Sequence, residues 1–408
     1  MTEVTAAVLC LLVFVWAVLS GVLARHNLTG SILLAAAGYV LGNPDWGSLH
    51  VEVNAANIHV VAEITLALVL FSDAARVDLR SLRADIALPA RLLGIGLPLS
   101  VVAGFLLAMP LLAGVPWALA LFVGAALAPT DAALSTQVID DERIPMRLRR
   151  ALNVESGLND GIVTPIVTLA LAVAASQLAV VSETTTAEAN SALRALAGGL
   201  AFGAFAGVAG AVVITAAARY GWVARGGRRV AALAVALGSF AGAVAFDANG
   251  FIAAFVAGMA FGAVLTRART DVERVDELPD LGGRVLGLVV WFLFGATLLP
   301  VAFHHLDARM VVYAVLSLTV VRMAPVALSL VRSRLDGPTV AFVGWFGPRG
   351  LASVVFALLA LESLGEGDAA VSRAVGTVAL TVMLSVVLHG VTAGPAGRSY
   401  LLREAARR

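Results

Sequence analysis

Long apolar runs follow one another along almost the whole chain, and short polar segments separate them. Runs of about 20 residues match the length that a helix needs to cross a bilayer, and soluble proteins do not repeat them from end to end. The pattern predicts an all-α polytopic membrane protein of about thirteen spans, over residues 4–22, 29–42, 57–74, 86–111, 117–139, 151–176, 193–218, 229–246, 248–265, 282–300, 309–332, 339–362 and 371–394. Little sequence remains between them, so we expect no sizeable soluble domain.

The arginines lie in alternate loops between these runs. One set of loops and the C-terminal tail holds most of them, whereas the opposite loops hold only Arg194, Arg309 and Arg373. Cytoplasmic loops carry an excess of basic residues. The alternation therefore predicts an external N-terminus, a cytoplasmic C-terminus and an odd number of spans.

Two of the predicted spans carry helix-breaking residues at mid-length. The fifth contains Pro129 after Ala128, and the twelfth contains the segment Gly344–Gly350 with Pro348. Unwound backbone at membrane depth is tolerated only inside protein or against a watery cavity, and paired breaks mark the substrate sites of transporters. We therefore expect spans 4–6 and 11–13 to form inverted repeats around two unwound, crossing helices.

A polar stretch interrupts the sixth span. Glu155 and Asn159 lie one helical turn apart, as do Ser156 and Asp160, so the four side chains share one side of the helix. Charged groups at membrane depth are costly and mark ion or proton pathways. Asp160 has no basic neighbour in sequence, so we expect it to bind either a proton or a cation, with oxygens from Ser156, Asp131 and Thr130 as further ligands.

The remaining buried charges suggest structural roles. Asp131 and Arg349 lie at the two breaks, where they could compensate the partial charges of helix ends. Glu155 is expected to pair with Arg349, because an unpaired buried charge is strongly unfavourable. Roles for Glu63, Asp73 and Arg322 stay open, the first two being packing partners or ion ligands.

The histidines and a set of regularly spaced glycines each allow a structural interpretation as well as a functional one. His304 and His305 are solvated loop residues or a metal or pH-sensing site, and His59 and His389 are expected at the membrane interface. Three glycines of the seventh span recur every four residues, which indicates close helix packing or a dimer face: Gly199, Gly203 and Gly207.

Composition excludes several function classes. The chain is 60% hydrophobic and 13% charged, with a net charge of +1. No basic patch supports nucleic-acid binding. Cys10 is the only cysteine, so no internal disulfide or cysteine-rich metal site can form, and no cofactor is expected.

Four short motifs follow one another in a fixed order along the chain. Leu70-Phe71-Ser72-Asp73 comes first, and Pro129-Thr130-Asp131 is followed about twenty residues later by Glu155-Ser156-x-x-Asn159-Asp160-Gly161. Gly347-Pro348-Arg349-Gly350 lies near the end. Together they resemble the monovalent cation:proton antiporter family of the NhaP and NHE type, the first being similar to its third-span motif and the last to its late helix break. Ala132 stands where many members have proline, and Gly157 where a bulkier residue is common.

The resemblance implies a division of the fold and of the site. A core, approximately 86–176 and 309–394, would translocate the ion, and helices over approximately 4–74 and 193–300 would form a dimerisation scaffold. Asp160 would exchange sodium and protons, with Thr130, Asp131, Ser156 and Glu155 helping to coordinate the ion. Asn159 would support a structural pair of Glu155 and Arg349, and the Asn-Asp sequence is associated with electroneutral exchange.

Together these observations favour a secondary active antiporter that exchanges Na⁺ or Li⁺ for H⁺ by alternating access. The expected setting is a bacterial-type plasma membrane, and the expected partners are monovalent cations, protons, lipid and a second copy of the chain. A K⁺-selective antiporter of the same fold is the nearest alternative. An intramembrane aspartyl hydrolase is the alternative from another class, and a membrane sensor would need a soluble output domain.

Overall fold

The computed structural model describes residues 3–25, 28–49, 56–77, 86–131, 144–178, 186–268, 270, 272–365 and 367–405. These residues form helices and connecting segments, with no strand among them. The thirteen predicted spans each contain at least one helix. We name the helices α1 Glu3–Arg25, α2 Gly30–Leu41, α3 Ala56–Ala75, α4 Ala87–Leu111, α5 Trp117–Ala126, α6 Met146–Leu178, α7 Thr186–Arg219, α8 Arg225–Ala245, α9 Gly250–Arg267, α10 Glu277–His304, α11 Ala308–Ser329, α12a Gly337–Trp345, α12b Leu351–Leu364 and α13 Ala369–Ala405.

The all-helical fold class predicted from the apolar pattern is confirmed. Within the described ranges, nine helices are long and apolar enough to cross a membrane, and α2, α5 and α12b are shorter apolar helices. The chain is therefore membrane-embedded, while thirteen crossings stay a prediction. Burial separates the helices: α1 is almost entirely exposed, whereas α5 is buried at most positions. An apolar helix surrounded by protein belongs to the centre of a bundle.

Both spans are unwound where a break was expected. The helix of the fifth span ends at Ala126, and an irregular segment continues to Asp131; residues 132–143, which include the rest of the predicted span, lie outside the described residues. The twelfth span is irregular between Trp345 and Leu351. The two breaks meet, because the Asp131 amide donates to the Pro348 carbonyl over 2.8 Å. Proline and glycine leave these backbone groups free for partners outside their own helix.

The three glycines of α7 face α9 and confirm the packing interpretation. A Cβ atom added at Gly203 would overlap the carbonyl oxygen of Ala253, and one at Gly207 would overlap that of Ala257. Small residues let two helix backbones approach closely in a membrane, where lipid supplies no hydrophobic drive for association. These glycines therefore serve packing within one chain.

Candidate functional site

The irregular segment that follows α5 is held by an arginine from the other break. Arg349 is fully buried, and its Nη1 donates to the carbonyl oxygens of Ala128 at 2.6 Å and Pro129 at 3.1 Å. These carbonyls lie beyond the last helical residue and so need partners outside the helix. The final carbonyls of the helix itself also lack intrahelical partners and carry partial negative charge, and Ser353, on α12b, donates to that of Ala126 over 2.6 Å.

The start of α12b is held in return by a carboxylate from the first break. Asp131 Oδ2 accepts a hydrogen bond from the Leu351 amide, the first helical amide of α12b, at 3.1 Å. A carboxylate is stabilising at this end because the unpaired amides carry partial positive charge. Asp131 therefore lies at the helix start of the opposite break, as its position in sequence indicated, and Arg349 bonds to the carbonyls just beyond the end of α5.

The structure corrects the predicted partner of Glu155. Arg322 Nη1, from α11, lies 2.6 Å from Glu155 Oε1, and both side chains are almost completely buried. The predicted Glu155–Arg349 ion pair is wrong, because the Arg349 guanidinium donates to backbone carbonyls instead. Arg322 lies in no recognisable motif, and only its position within an apolar span signalled a buried role.

Asn159, Thr130 and Ser156 form one hydrogen-bonded group between α6 and the α5 break. Asn159 Nδ2 donates to the Thr130 carbonyl at 3.1 Å and to its hydroxyl oxygen at 2.8 Å. The Thr130 and Ser156 hydroxyls lie 3.1 Å apart. All three residues are buried. The amide of Asn159 thus ties the polar stretch of α6 to the unwound backbone at membrane depth.

Asp160 lies on α6 one turn beyond Ser156. The charged groups that act on its carboxylate, among the described residues, are the carboxylates of Asp73 and Asp131. Asp73 thereby joins the acidic group, although its sequence position on α3 left it unassigned. Like charges that lie close together are unfavourable when all are ionised and no counter-charge is present.

Two buried oxygen atoms of the site have no hydrogen-bond partner within the described part of the chain. They are Glu155 Oε2 and Asn159 Oδ1. On the arginine side, Arg322 Nε and Nη2 are likewise without partners there. An unsatisfied buried polar atom is costly. These two oxygens can accept a hydrogen bond from a small protic molecule or coordinate a small cation.

The remaining candidates lie apart from this group. His59 contacts Glu63 at 3.1 Å and Glu362 at 3.0 Å, which gives Glu63 the packing partner expected of it. His304 is half exposed and contacts Asp45 at 3.1 Å. His389 is 2% exposed, so neighbouring helices cover it, and its expected depth near the membrane interface stays a prediction.

Two unwound spans that meet beside a group of carboxylates define a class, the helical membrane transporters with discontinuous spans. The family described as sodium/hydrogen exchanger, transmembrane, matches residues 8–398, and the chain belongs to this family. Its fold is similar to that of the sodium proton antiporter MjNhaP1 from Methanocaldococcus jannaschii at pH 8, at 19% identity and a TM-score of 0.74, over 98% of this chain and 100% of that one. An electron-microscopy structure of MjNhaP1 gives 17% identity and a TM-score of 0.70, over 98% of each chain.

Proposed function

We propose that this exchanger carries Na⁺ or Li⁺ against H⁺ and that Asp160 is the exchanging group. The observation that supports it is the charge environment of Asp160, whose charged neighbours among the described residues are the carboxylates Asp73 and Asp131. A carboxylate at membrane depth beside like charges is strongly unfavourable when it binds neither a proton nor a cation. Asp160 must therefore carry a proton or a cation, and the two compete for the same oxygens.

The ion is bound by oxygens gathered at the crossing. Asp160 supplies the charge, and Ser156, Thr130 and Asp131 contribute oxygens, with Glu155 close by. Hard cations take several oxygen ligands. Unpartnered Glu155 Oε2 supports its participation. Each cycle moves one cation one way and one proton the other, because one carboxylate binds one unit of positive charge in either state; exchange is therefore electroneutral.

The structural residues hold these oxygens in place. Asn159 fixes Thr130, and Arg322 fixes Glu155 through its Oε1. Arg349 supports the site through the carbonyls at the end of α5. The contacts of Arg322 and Arg349 join α6 and the α5 break to segments distant in sequence.

Transport follows alternating access around this fixed site. The core, approximately 86–176 and 309–394, moves against the scaffold helices of a homodimer. The protein lies in a bacterial-type plasma membrane with its N-terminus outside and its C-terminus in the cytoplasm, as the arginine distribution favours.

The test is dissipation of an imposed pH gradient in proteoliposomes by Na⁺, Li⁺ or K⁺. We expect the wild type to respond to Na⁺ and Li⁺, and Asp160→Asn to lose the response while keeping its melting temperature, because an amide cannot exchange a proton for a cation. Asp45→Asn, at an exposed position away from the crossing, is the matched control and should transport normally.

Retention of Na⁺-driven proton flux in Asp160→Asn would remove this residue from its central role. A response to K⁺ alone would establish the potassium-selective alternative. Equal fluxes at zero and imposed membrane potential are expected for one-for-one exchange, and potential-dependent flux contradicts electroneutrality.

A further inference from the structure

His389 lies against the break of the twelfth span. Its Nε2 is 2.9 Å from the carbonyl oxygen of Trp345, the last residue of α12a. The Trp345 and His389 rings pack with centroids 5.1 Å apart, and the Trp345 indole donates to the Thr392 hydroxyl over 3.1 Å. Helix α13 therefore holds the end of α12a by both the backbone and the side chain of Trp345.

The other side of the imidazole leads to Arg349. His389 Nδ1 lies 3.2 Å from the Ser385 hydroxyl and 2.8 Å from the Ser385 carbonyl oxygen. The same hydroxyl accepts a hydrogen bond from the Arg349 amide at 2.7 Å. His389 and Ser385 thus link the last residue before the break to the arginine that supports the end of α5.

The ring faces two carbonyl oxygens, those of Trp345 and Ser385, and a carbonyl can only accept. A neutral ring has one N–H and can donate to only one of them. The Ser385 carbonyl lies inside α13, where it accepts from the amide four residues on, so we assign the hydrogen to Nε2. Nδ1 then accepts from the Ser385 hydroxyl, which itself accepts from the Arg349 amide.

The Trp345 carbonyl needs this donor. It belongs to a broken helix end at membrane depth, where water cannot replace a missing partner. The Gly347 amide also donates to it, over 2.8 Å, but that bond lies within the break and cannot anchor it to another helix. The His389 bond fixes the break to α13 and with it the backbone of Arg349.

We propose that His389 is a positioning residue for ion exchange, which acts by tying the α12 break to α13 through the Trp345 carbonyl and, by way of Ser385, Arg349. This role rests on the proposed antiport function. It assigns no contact between His389 and the ion. Its loss should displace the oxygens that Arg349 and Asp131 hold at the crossing.

The test compares three variants of His389, which differ in where the new side chain places a hydrogen-bond donor. The amide nitrogen of His389→Gln can reach the position of Nε2, that of His389→Asn can reach only the position of Nδ1, and His389→Leu has none. We expect KM for Na⁺ to rise ~10-fold in His389→Leu and His389→Asn, as for one unsatisfied buried acceptor. His389→Gln should restore it to within about threefold.

A positioning role changes KM, whereas loss of folded protein lowers the maximal rate alone. Measuring both quantities therefore separates the two causes. Thr392→Val is the matched control, since it removes the indole bond and leaves His389 in place. Its KM should equal that of the wild type. Wild-type KM in His389→Leu, or restoration by His389→Asn as complete as by His389→Gln, would overturn the proposal.

A second measurement does not depend on transport. Hydrogen exchange of the amides over residues 346–350 should be faster in His389→Asn than in His389→Gln, and exchange at equal rates contradicts the role. If the wild type shows no exchange of cations for protons, the proposed function fails, and this measurement alone decides the role of His389. If His389→Leu does not fold, the Gln and Asn variants still decide it.

Discussion

The α5–α12 crossing and the α7–α9 pair are both close helix contacts, but different forces hold them together. At the crossing, Arg349 and Asp131 bond to the backbone of the opposite break. In the pair, Gly203 lies so near Ala253 that a Cβ atom would not fit between the helices. Directional polar bonds hold the crossing together, whereas dispersion attraction between closely packed backbones holds the α7–α9 pair together.

This difference fits two tasks within one membrane protein. Polar groups at membrane depth need a hydrogen-bond partner in every conformation. Only a few discrete arrangements of the crossing meet this requirement. Close backbone packing at glycines has no alternative partners and keeps two helices in fixed register. The contrast supports the proposed division into a moving core and a rigid scaffold.

The largest expected effect comes from breaking the buried ion pair of the core. Arg322→Met leaves the Glu155 carboxylate buried without its counter-charge, and we expect a loss of about 3–5 kcal/mol in stability. Thermal unfolding in detergent measures it. The matched variant is Glu155→Gln combined with Arg322→Met, which removes both charges and should recover most of the loss. Equal melting temperatures for Arg322→Met and the wild type would refute the pairing.

The second effect concerns a polar cluster at the ends of α3 and α10. Asp276 is fully buried and accepts hydrogen bonds from Ser72 at 3.1 Å and Arg76 at 2.8 Å. Burial raises the pKa of Asp276 from 3.8 to about 6, although Arg76 and Ser72 oppose the rise. The folded state therefore binds more protons than the unfolded state between these two values.

Because of this excess, the Asp276 contribution to stability should fall as the pH rises from about 4 to about 6 and stay constant above that, by about 3 kcal/mol in total. In Asp276→Asn this part of the pH dependence should vanish. Chemical unfolding of both proteins across this range measures it. Parallel curves for the two would show that Asp276 does not titrate there.

The smallest effect is expected at the glycine-packed pair. Gly203→Leu should cost about 1–3 kcal/mol, because the added side chain forces α7 away from α9. Gly238→Leu, on α8 in open space, is the matched control and should be neutral or stabilising. Ion exchange per folded molecule should stay normal in both. If Gly203→Leu is as stable as the control, the close packing does not contribute as inferred.

Much of this protein could be predicted from the sequence. Apolar runs of membrane length predicted the helices, because the bilayer requires every backbone group to bond within its own helix. Proline and glycine at mid-span predicted the two breaks, and the stretch Asn153–Gly161 marked the polar face of α6. These are local properties, expressed over one or two turns of chain.

The partners across the bundle were decided only by the tertiary structure. Glu155 and Arg322 are 167 residues apart, and the choice of Arg322 over Arg349 depends on how α11 and the α12 break pack beside α6. The same packing buries His389 and brings Asp73 within electrostatic reach of Asp160. A sequence shows which charges must be satisfied inside a membrane; the geometry of packing selects the group that satisfies each one.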